Sequence, residues 1–186
     1  MRDFDQFFAE LDRHAVASHA TFRFKPRAIR FMRSVAARTP SAYASDWTIG
    51  WNVAGSLNTS ADAVRETLFH ELFHLNDEAG WSGRALDPTY QAIAKKCGTR
   101  TACLAPYTPN DTMVRGGTYY SFQPGNDVRE YAAELALRYY REQRAALRSS
   151  SRPQPFKCGP PENALAWGRM RDELFGGIDV VPACGS

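Results

Sequence analysis

The sequence predicts an α+β fold with few strands and two dominant helices. Residues 47–57 are aromatic and β-branched with interspersed glycines, which favours a strand or hairpin. Two longer stretches, beginning near residues 60 and 127, have apolar residues at helical spacing after polar capping residues. The 186 residues suit one domain of ordinary size, so we expect a single domain over residues 1–186.

Two shorter helices are predicted in the N-terminal part of the chain. Residues 28–38 predict a helix that ends before Pro40, because proline cannot continue a helix. Residues 3–20 predict an earlier helix from apolar side chains near helical spacing, namely Phe4, Phe7, Phe8, Leu11 and Ala15.

Capping residues mark both ends of the first dominant helix. Thr59-Ser60-Ala61-Asp62 places a hydroxyl three residues before an acid, which is the capping-box pattern. The helix is expected to run to Ala79 and to be followed by Gly80, a residue type favoured just after a helix. Its predicted apolar stripe consists of Val64, Leu68, Leu72, Leu75 and Ala79.

The C-terminal half has a loop-rich start and two further helices. Residues 80–126 favour loops, apart from a short helix begun by Asp87-Pro88. Asn126 or Asp127 is expected to cap the second dominant helix, which should run to about Arg148. Residues 149–155 end it, and a last short helix is predicted over residues 161–175.

Composition excludes several classes of protein. The chain is 44% hydrophobic and 23% charged, which favours a packed core over disorder. Its net charge of +3 is a mild excess that predicts neither a nucleic-acid partner nor a membrane-surface partner. No apolar run reaches the length of a spanning helix. The first fifteen residues lack the apolar region of a signal peptide, so a leader would have been removed upstream of this sequence.

Four cysteines predict two disulfides and an exported protein. Cys97 and Cys103 close a short loop, while Cys158 and Cys184 flank the C-terminal segment, so the economical pairing is Cys97–Cys103 and Cys158–Cys184. The alternative is four free thiols in a cytosolic enzyme. A structural zinc cluster is disfavoured because no CxxC spacing occurs. Disulfides would indicate a secreted or periplasmic protein.

His70-Glu71-Leu72-Phe73-His74 matches the H-E-x-x-H pattern on the first dominant helix. Histidines four residues apart lie on one helix face, so their ring nitrogens can converge on one ion. Glu71 projects about 60° further round the helix than His74, which favours a general base beside the metal rather than a ligand. The alternative is a chance match with two surface histidines; His14 and His19 are expected to be ordinary surface residues.

A catalytic zinc ion needs three protein ligands, and no third histidine follows His74. The best candidates are Glu130 and Glu134, which are four residues apart on the second dominant helix. The alternative is a solvated acidic face paired with Arg138 and Arg141. The predicted apolar stripe of this helix lies on the opposite side and consists of Val128, Ala132, Leu135 and Tyr139.

With these two helices, residues 60–140 resemble the gluzincin type of zinc metallopeptidase. In that type the third ligand is a glutamate on a helix downstream of H-E-x-x-H, and an acid four residues later supports a ligating histidine. The string Glu130-Tyr131-Ala132-Ala133-Glu134 looks closest to the E-[FY]-x-A-E helix of the lethal factor and Pro-Pro endopeptidase group. The resemblance implies a zincin-like fold, with a small sheet packed on the active-site helix, and implies Glu130 as ligand.

One departure from that group concerns the tyrosine that steadies the oxyanion. The corresponding position, seven residues before Glu130, is Gln123. Tyr120, just upstream, is the candidate to reach the site instead, with Tyr119 as a weaker alternative. The third possibility is that both tyrosines only pack on their loop.

Three further features have a structural and a functional interpretation. Asp77 either supports a zinc ligand or is a solvated acid in the last helical turn. The strand around Trp47, Ile49 and Trp51 either belongs to the core or pairs with an extended substrate. If neither glutamate is the third ligand, the next candidates are Asp127, Asp111 and Asp87.

These observations together predict a secreted zinc-dependent endopeptidase with one zinc ion per chain. Zinc would be held by His70, His74 and Glu130, with Glu71 and Tyr120 as catalytic residues. The expected partner is a protein or peptide substrate, and the expected state is a monomer. The alternatives are a zinc hydrolase of a non-protein substrate and a non-catalytic binding protein on a zincin scaffold.

Overall fold

The structure is a computed structural model that describes residues 1–15, 20–114, 116–148 and 154–185. These residues divide into two compact units. The first comprises Met1 and Phe22–Ala79, and the second comprises Arg2–Thr21 and Gly80–Ser186. Seven helices and one three-stranded sheet in the described parts confirm the α+β class. The single domain over residues 1–186 stays a prediction.

The first unit contains the sheet and one long helix. Its strands are β1 (Ala28–Met32), β2 (Ala42–Ser45) and β3 (Thr48–Asn52), in the order β1-β3-β2. Strand β3 pairs in parallel with β1 and antiparallel with β2. Ile49 and Trp51 of β3 are buried. The strand predicted within residues 47–57 is therefore confirmed, at the centre of the sheet.

Strand β1 replaces the helix predicted over residues 28–38, and that prediction was wrong. Ala28 to Met32 pair residue by residue with Thr48 to Asn52, twenty positions further along the chain. An isolated helix of this length is marginal because its nucleation is costly, whereas pairing with β3 satisfies the backbone of five residues. The strand that makes these residues extended is β3, twenty positions further along the chain, so no local pattern revealed it.

Helix α2 (Ala61–Asn76) follows the sheet. Ser60 is its N-cap, and its hydroxyl accepts a hydrogen bond from the Ala63 N–H at 3.0 Å. The N-cap is thus one residue later than Thr59, the cap that the capping-box pattern predicted. The helix also ends before the predicted Ala79, with Asp77 as its C-cap. Gly80 has a φ of +69°, the left-handed conformation that favours glycine.

The second unit is built around helix α6 (Val128–Leu147), which contacts α1, α3, α4 and α7. The Asp127 carboxylate caps α6 by accepting from the Arg129 N–H at 2.8 Å, so one of the two predicted caps is confirmed. The other helices are α1 (Arg2–Asp12), α3 (Trp81–Ala85), α4 (Asp87–Cys97), α5 (Thr101–Leu104) and α7 (Pro161–Leu174), with short 3-10 helices at Tyr120–Phe122 and Phe156–Cys158.

Helix α1 is shorter than the helix predicted over residues 3–20. It ends at Asp12, and residues 16–19 of the prediction lie outside the described residues. Its apolar face packs on α6, where the rings of Phe4 and Phe7 meet Tyr140 edge to face at 5.7 and 4.7 Å between centroids. The helical periodicity therefore identified the buried face correctly.

Two disulfides, Cys97–Cys103 and Cys158–Cys184, confirm the predicted pairing. The C-terminal segment that the second one closes is also held by Asp179. Its carboxylate accepts from Trp167 Nε1 and from Lys157 Nζ, each at 2.8 Å. Two disulfides are compatible with an extracytoplasmic location. None of the helices described is long and apolar enough to cross a membrane.

Candidate metal centre

Helix α2 fixes the two histidines through its buried side chains. Phe69, Leu72, Phe73 and Leu75 are completely or almost completely buried, and the Phe69 ring stacks on Phe22 at 5.1 Å. The predicted apolar stripe holds only in part. Leu72 and Leu75 are buried, but Val64 and Leu68 are only half-buried and Ala79 is exposed. Phe69 and Phe73, which directly precede His70 and His74, supply the missing burial.

The imidazoles of His70 and His74 converge. Their Nε2 atoms lie 3.1 Å apart, and both side chains are half-buried. Two ligand nitrogens about 2.05 Å from one tetrahedral ion lie about 3.3 Å apart, so this separation suits two ligands of one ion. Glu71, between them in sequence, is only 8% exposed. A chance pair of surface histidines does not account for this arrangement.

Helix α6 carries Glu130 in its first turn. The stripe predicted for this helix is confirmed, because its four members are buried: Val128, Ala132, Leu135 and Tyr139. Glu130 is half-buried and Glu134 is only 5% exposed. Arg138 pairs with Glu142 one turn further on. Burial of Glu134 excludes a solvated position for that residue.

Tyr120 reaches Glu130. Its hydroxyl donates to Glu130 Oε2 at 3.0 Å. The tyrosine backbone is held on both sides, since its N–H donates to the Thr112 carbonyl at 2.8 Å and its carbonyl accepts from Asn126 Nδ2 at 2.9 Å. Tyr119 forms a backbone bridge with Met113 instead. The upstream loop thus places a tyrosine hydroxyl beside Glu130, although position 123 is a glutamine.

Glu134 has a partner that the sequence did not indicate. Asn110 Nδ2 donates to Glu134 Oε2 at 2.9 Å and to the Glu134 carbonyl at 2.8 Å. Arg141 Nη1 donates to Asn110 Oδ1 at 2.8 Å, which fixes the orientation of the amide. Asn110 is 4% exposed and lies in the loop-rich region predicted over residues 80–126. No motif or periodicity distinguishes it from other loop asparagines.

The described residues contain one group of His, Cys, Asp or Glu side chains that could hold a metal ion, and it consists of His70, His74 and Glu130. One ligand atom of each, two imidazole nitrogens and one carboxylate oxygen, lies within 4.8 Å of the others. Two histidines and one carboxylate form a donor set of catalytic zinc sites. The residues therefore fit a metal ion.

The remaining candidates have local roles. Asp77 is 1% exposed, which excludes the solvated last-turn acid. Asp127 caps α6, and Asp87 accepts from Gln91 Nε2 at 3.1 Å. Strand β3 is paired on both edges, so the idea that the Trp47–Trp51 strand itself pairs with a substrate was wrong. His14 is exposed as expected, and His19 lies outside the described residues.

The chain matches no protein-family model, no curated protein sequence and no solved structure. Any functional assignment therefore depends on the residues of the site.

Proposed function

We propose that this protein is a zinc-dependent endopeptidase of the gluzincin type with a zincin-like fold. The observation that carries the proposal is the convergence of His70, His74 and Glu130, which offer ligand atoms within 4.8 Å of one another. Helix α2, which carries both histidines, also carries Glu71, a buried carboxylate next to His70. A site that only binds a metal has no need of this second carboxylate, which favours an enzyme over a non-catalytic scaffold.

His70, His74 and Glu130 would hold the zinc ion. A bound zinc ion would polarise the scissile carbonyl and acidify the attacking water. Glu71 accepts the proton of that water as general base and delivers it to the leaving amine as general acid. In this structure the Tyr120 hydroxyl donates its single hydrogen to Glu130 Oε2. Redirected from that carboxylate, the same hydrogen would be donated to the developing oxyanion.

The Glu134 carboxylate, held by Asn110, would orient a ligating histidine. The substrate is a protein or peptide, and one zinc ion is bound per chain. We further propose that the protein acts as a monomer in an oxidising, extracytoplasmic compartment, which the two disulfides support.

A peptide-library cleavage assay tests the proposed activity. The wild-type protein should cleave peptides, and a chelator should abolish cleavage. Glu71→Gln should keep the zinc ion and the fold but lower the turnover rate by a factor on the order of 10² to 10⁴, the usual contribution of general-base action. Undiminished turnover in this variant would exclude the mechanism.

Glu78→Gln is the matched control. Glu78 is exposed two residues beyond α2, and its Oε1 accepts from the Trp47 N–H, which a glutamine oxygen also does. This variant should cleave like the wild type. Cleavage of an ester or a sugar polymer, with no cleavage of any peptide, would replace the peptidase by a zinc hydrolase of another substrate.

A further inference from the structure

The charge balance of residues 20–60 differs from that of the rest of the chain. This segment holds six basic residues, all exposed, and a single acid, Asp46, whereas the remaining residues hold 17 basic and 19 acidic ones. The basic residues are Arg23, Lys25, Arg27, Arg30, Arg33 and Arg38. The net charge of +3, from which no membrane-surface partner is expected, averages over this local excess.

Exposed apolar side chains occur next to these arginines. Nine large apolar residues are exposed in the described parts of the chain, and five of them lie in the short segments 31–35 and 53–57. Phe31 is 72% exposed and Val35 is 66% exposed. The other three are Met32, Val53 and Leu57. Single exposed apolar residues are ordinary, but a concentration in two short segments indicates an interaction surface.

Hydrogen bonds hold the two segments together at the carboxyl ends of β1 and β3. The buried Asn52 side chain accepts from the Ser34 N–H at 3.0 Å and donates to the Ala37 carbonyl at 2.9 Å. Arg38 Nε donates to the Ala54 carbonyl at 3.0 Å, and the Val53 N–H donates to the Met32 carbonyl at 2.9 Å. We call residues 30–38 and 53–57 the basic apolar tip.

We propose that the basic apolar tip docks the protein on an anionic lipid surface. Arginines complement the negative charge of lipid headgroups, and phenylalanine and aliphatic side chains enter the interface beside them. Arg30 and Arg33 bracket the most exposed apolar residue, Phe31. Exposed basic and exposed apolar side chains, the two components of peripheral membrane binding, therefore occur together at the carboxyl end of β1.

An acidic polypeptide that adds a strand to the sheet is less compatible with the tip. Strand β1 is an edge strand and offers its backbone to such a partner. However, β1 ends at Met32 and β3 at Asn52, so Val35, Val53 and Leu57 lie beyond the region that an added strand covers. A lipid surface can cover the end of β1 and the two segments that follow β1 and β3 at the same time.

Vesicle co-sedimentation of the full chain tests this proposal without any measurement of peptidase activity. The wild type should bind vesicles that contain phosphatidylserine and not vesicles of phosphatidylcholine alone. Binding should weaken when NaCl is raised from about 0.1 M to about 0.5 M, because salt screens the arginines. Arg30→Gln/Arg33→Gln should weaken binding about 25-fold, at about fivefold per arginine. Phe31→Ser/Val35→Ser should weaken it roughly tenfold or more.

Two control variants make the same chemical changes elsewhere. Arg2→Gln/Arg13→Gln removes two exposed arginines at the ends of α1, and Leu165→Ser removes a 55% exposed leucine from α7. Both should bind like the wild type, with circular dichroism confirming that every variant is folded. The proposal is overturned if the wild type does not bind vesicles that contain phosphatidylserine, or if the control variants lose as much binding as the tip variants. Tip-dependent binding to polyglutamate but not to vesicles would assign the tip to an acidic polypeptide.

Discussion

Glu130 and Glu134 stand one helical turn apart on α6, yet their carboxylates have different partners. The Tyr120 hydroxyl donates to Glu130, whereas the Asn110 amide donates to the more deeply buried Glu134. Only Glu130 belongs to the group of described residues that could hold a metal ion. We therefore expect Glu130 to act as a ligand and Glu134 to orient one.

Alanine variants of the two glutamates should differ in metal affinity. Glu130→Ala should abolish zinc binding at sub-micromolar metal, because it removes a donor atom. Glu134→Ala should weaken binding by roughly 10- to 100-fold, the usual effect of removing a partner of a ligating histidine. Competition with a chromophoric chelator measures both affinities. If Glu134→Ala loses more zinc affinity than Glu130→Ala, the two roles are exchanged. If neither variant loses affinity, the third ligand lies elsewhere.

Tyr131 and Tyr139, both buried in α6, differ in whether the hydroxyl is hydrogen-bonded. The Tyr139 hydroxyl donates to the Ile178 carbonyl. The Tyr131 hydroxyl has no hydrogen-bond partner among the described residues. Burial raises the pKa of both phenols, so both stay uncharged at alkaline pH values at which an exposed tyrosine ionises.

Phenylalanine variants test this difference. Tyr139→Phe should lower the free energy of unfolding by about 1 kcal/mol, because it leaves a buried carbonyl without its donor. Tyr131→Phe should leave the free energy of unfolding unchanged or raise it, because it removes a buried polar atom that has no partner. Urea unfolding measures both. A larger loss for Tyr131→Phe than for Tyr139→Phe would mean that the Tyr131 hydroxyl does have a partner.

Residues of the candidate site were predictable where a local pattern carried them. The positions of His70, Glu71 and His74 follow from helical spacing, and a second helix with one polar face gave Glu130 and Glu134 as candidates. Asn110 was not predictable, because its contact with Glu134 spans 24 residues and depends on how a loop folds back onto α6. Side-chain pairs of this kind leave no periodic signal in one sequence.

At the scale of elements, the cap of α2 distinguishes two adjacent hydroxyl residues. Ser60→Ala should lower the free energy of unfolding by about 1 kcal/mol, because it removes the acceptor of the Ala63 N–H. Thr59→Ala is the matched control, since Thr59 is exposed and precedes the cap. Chemical denaturation measures both variants. A larger loss for Thr59→Ala would restore the cap that the capping-box pattern predicted.

Helices were predicted better than strands for a physical reason. The dominant helices carry their own start signals, such as Ser60 and Asp127, and their buried faces repeat within the element. Strand β1 depends on pairing with β3, so residues 28–38 could not be identified as extended without knowing the partner. Because β1 pairs with β3 on one side only, its other edge stays open, and Phe31 of this strand is exposed.

At the scale of the whole molecule, the disulfides should contribute unequally to stability. The Cys158–Cys184 pair spans 26 positions and the Cys97–Cys103 pair spans 6. In the chain-entropy account the longer loop stabilises by roughly 3.5 kcal/mol and the shorter by roughly 2.2 kcal/mol. Cys158→Ser/Cys184→Ser should therefore lower the melting temperature more than Cys97→Ser/Cys103→Ser. Intact-mass measurement before and after reduction should also show that the wild type gains four hydrogen atoms, two for each disulfide. Four alkylatable thiols before reduction would contradict both disulfides.

The zinc content of the purified protein tests the central claim most directly. Elemental analysis of the wild type should find about one zinc ion per chain, and His74→Ala should lose it, because one of three ligands is removed. His14→Ala, which changes an exposed histidine on the turn after α1, should keep the zinc ion. Full zinc retention in His74→Ala, or a wild type loaded with another metal in place of zinc, would contradict the account.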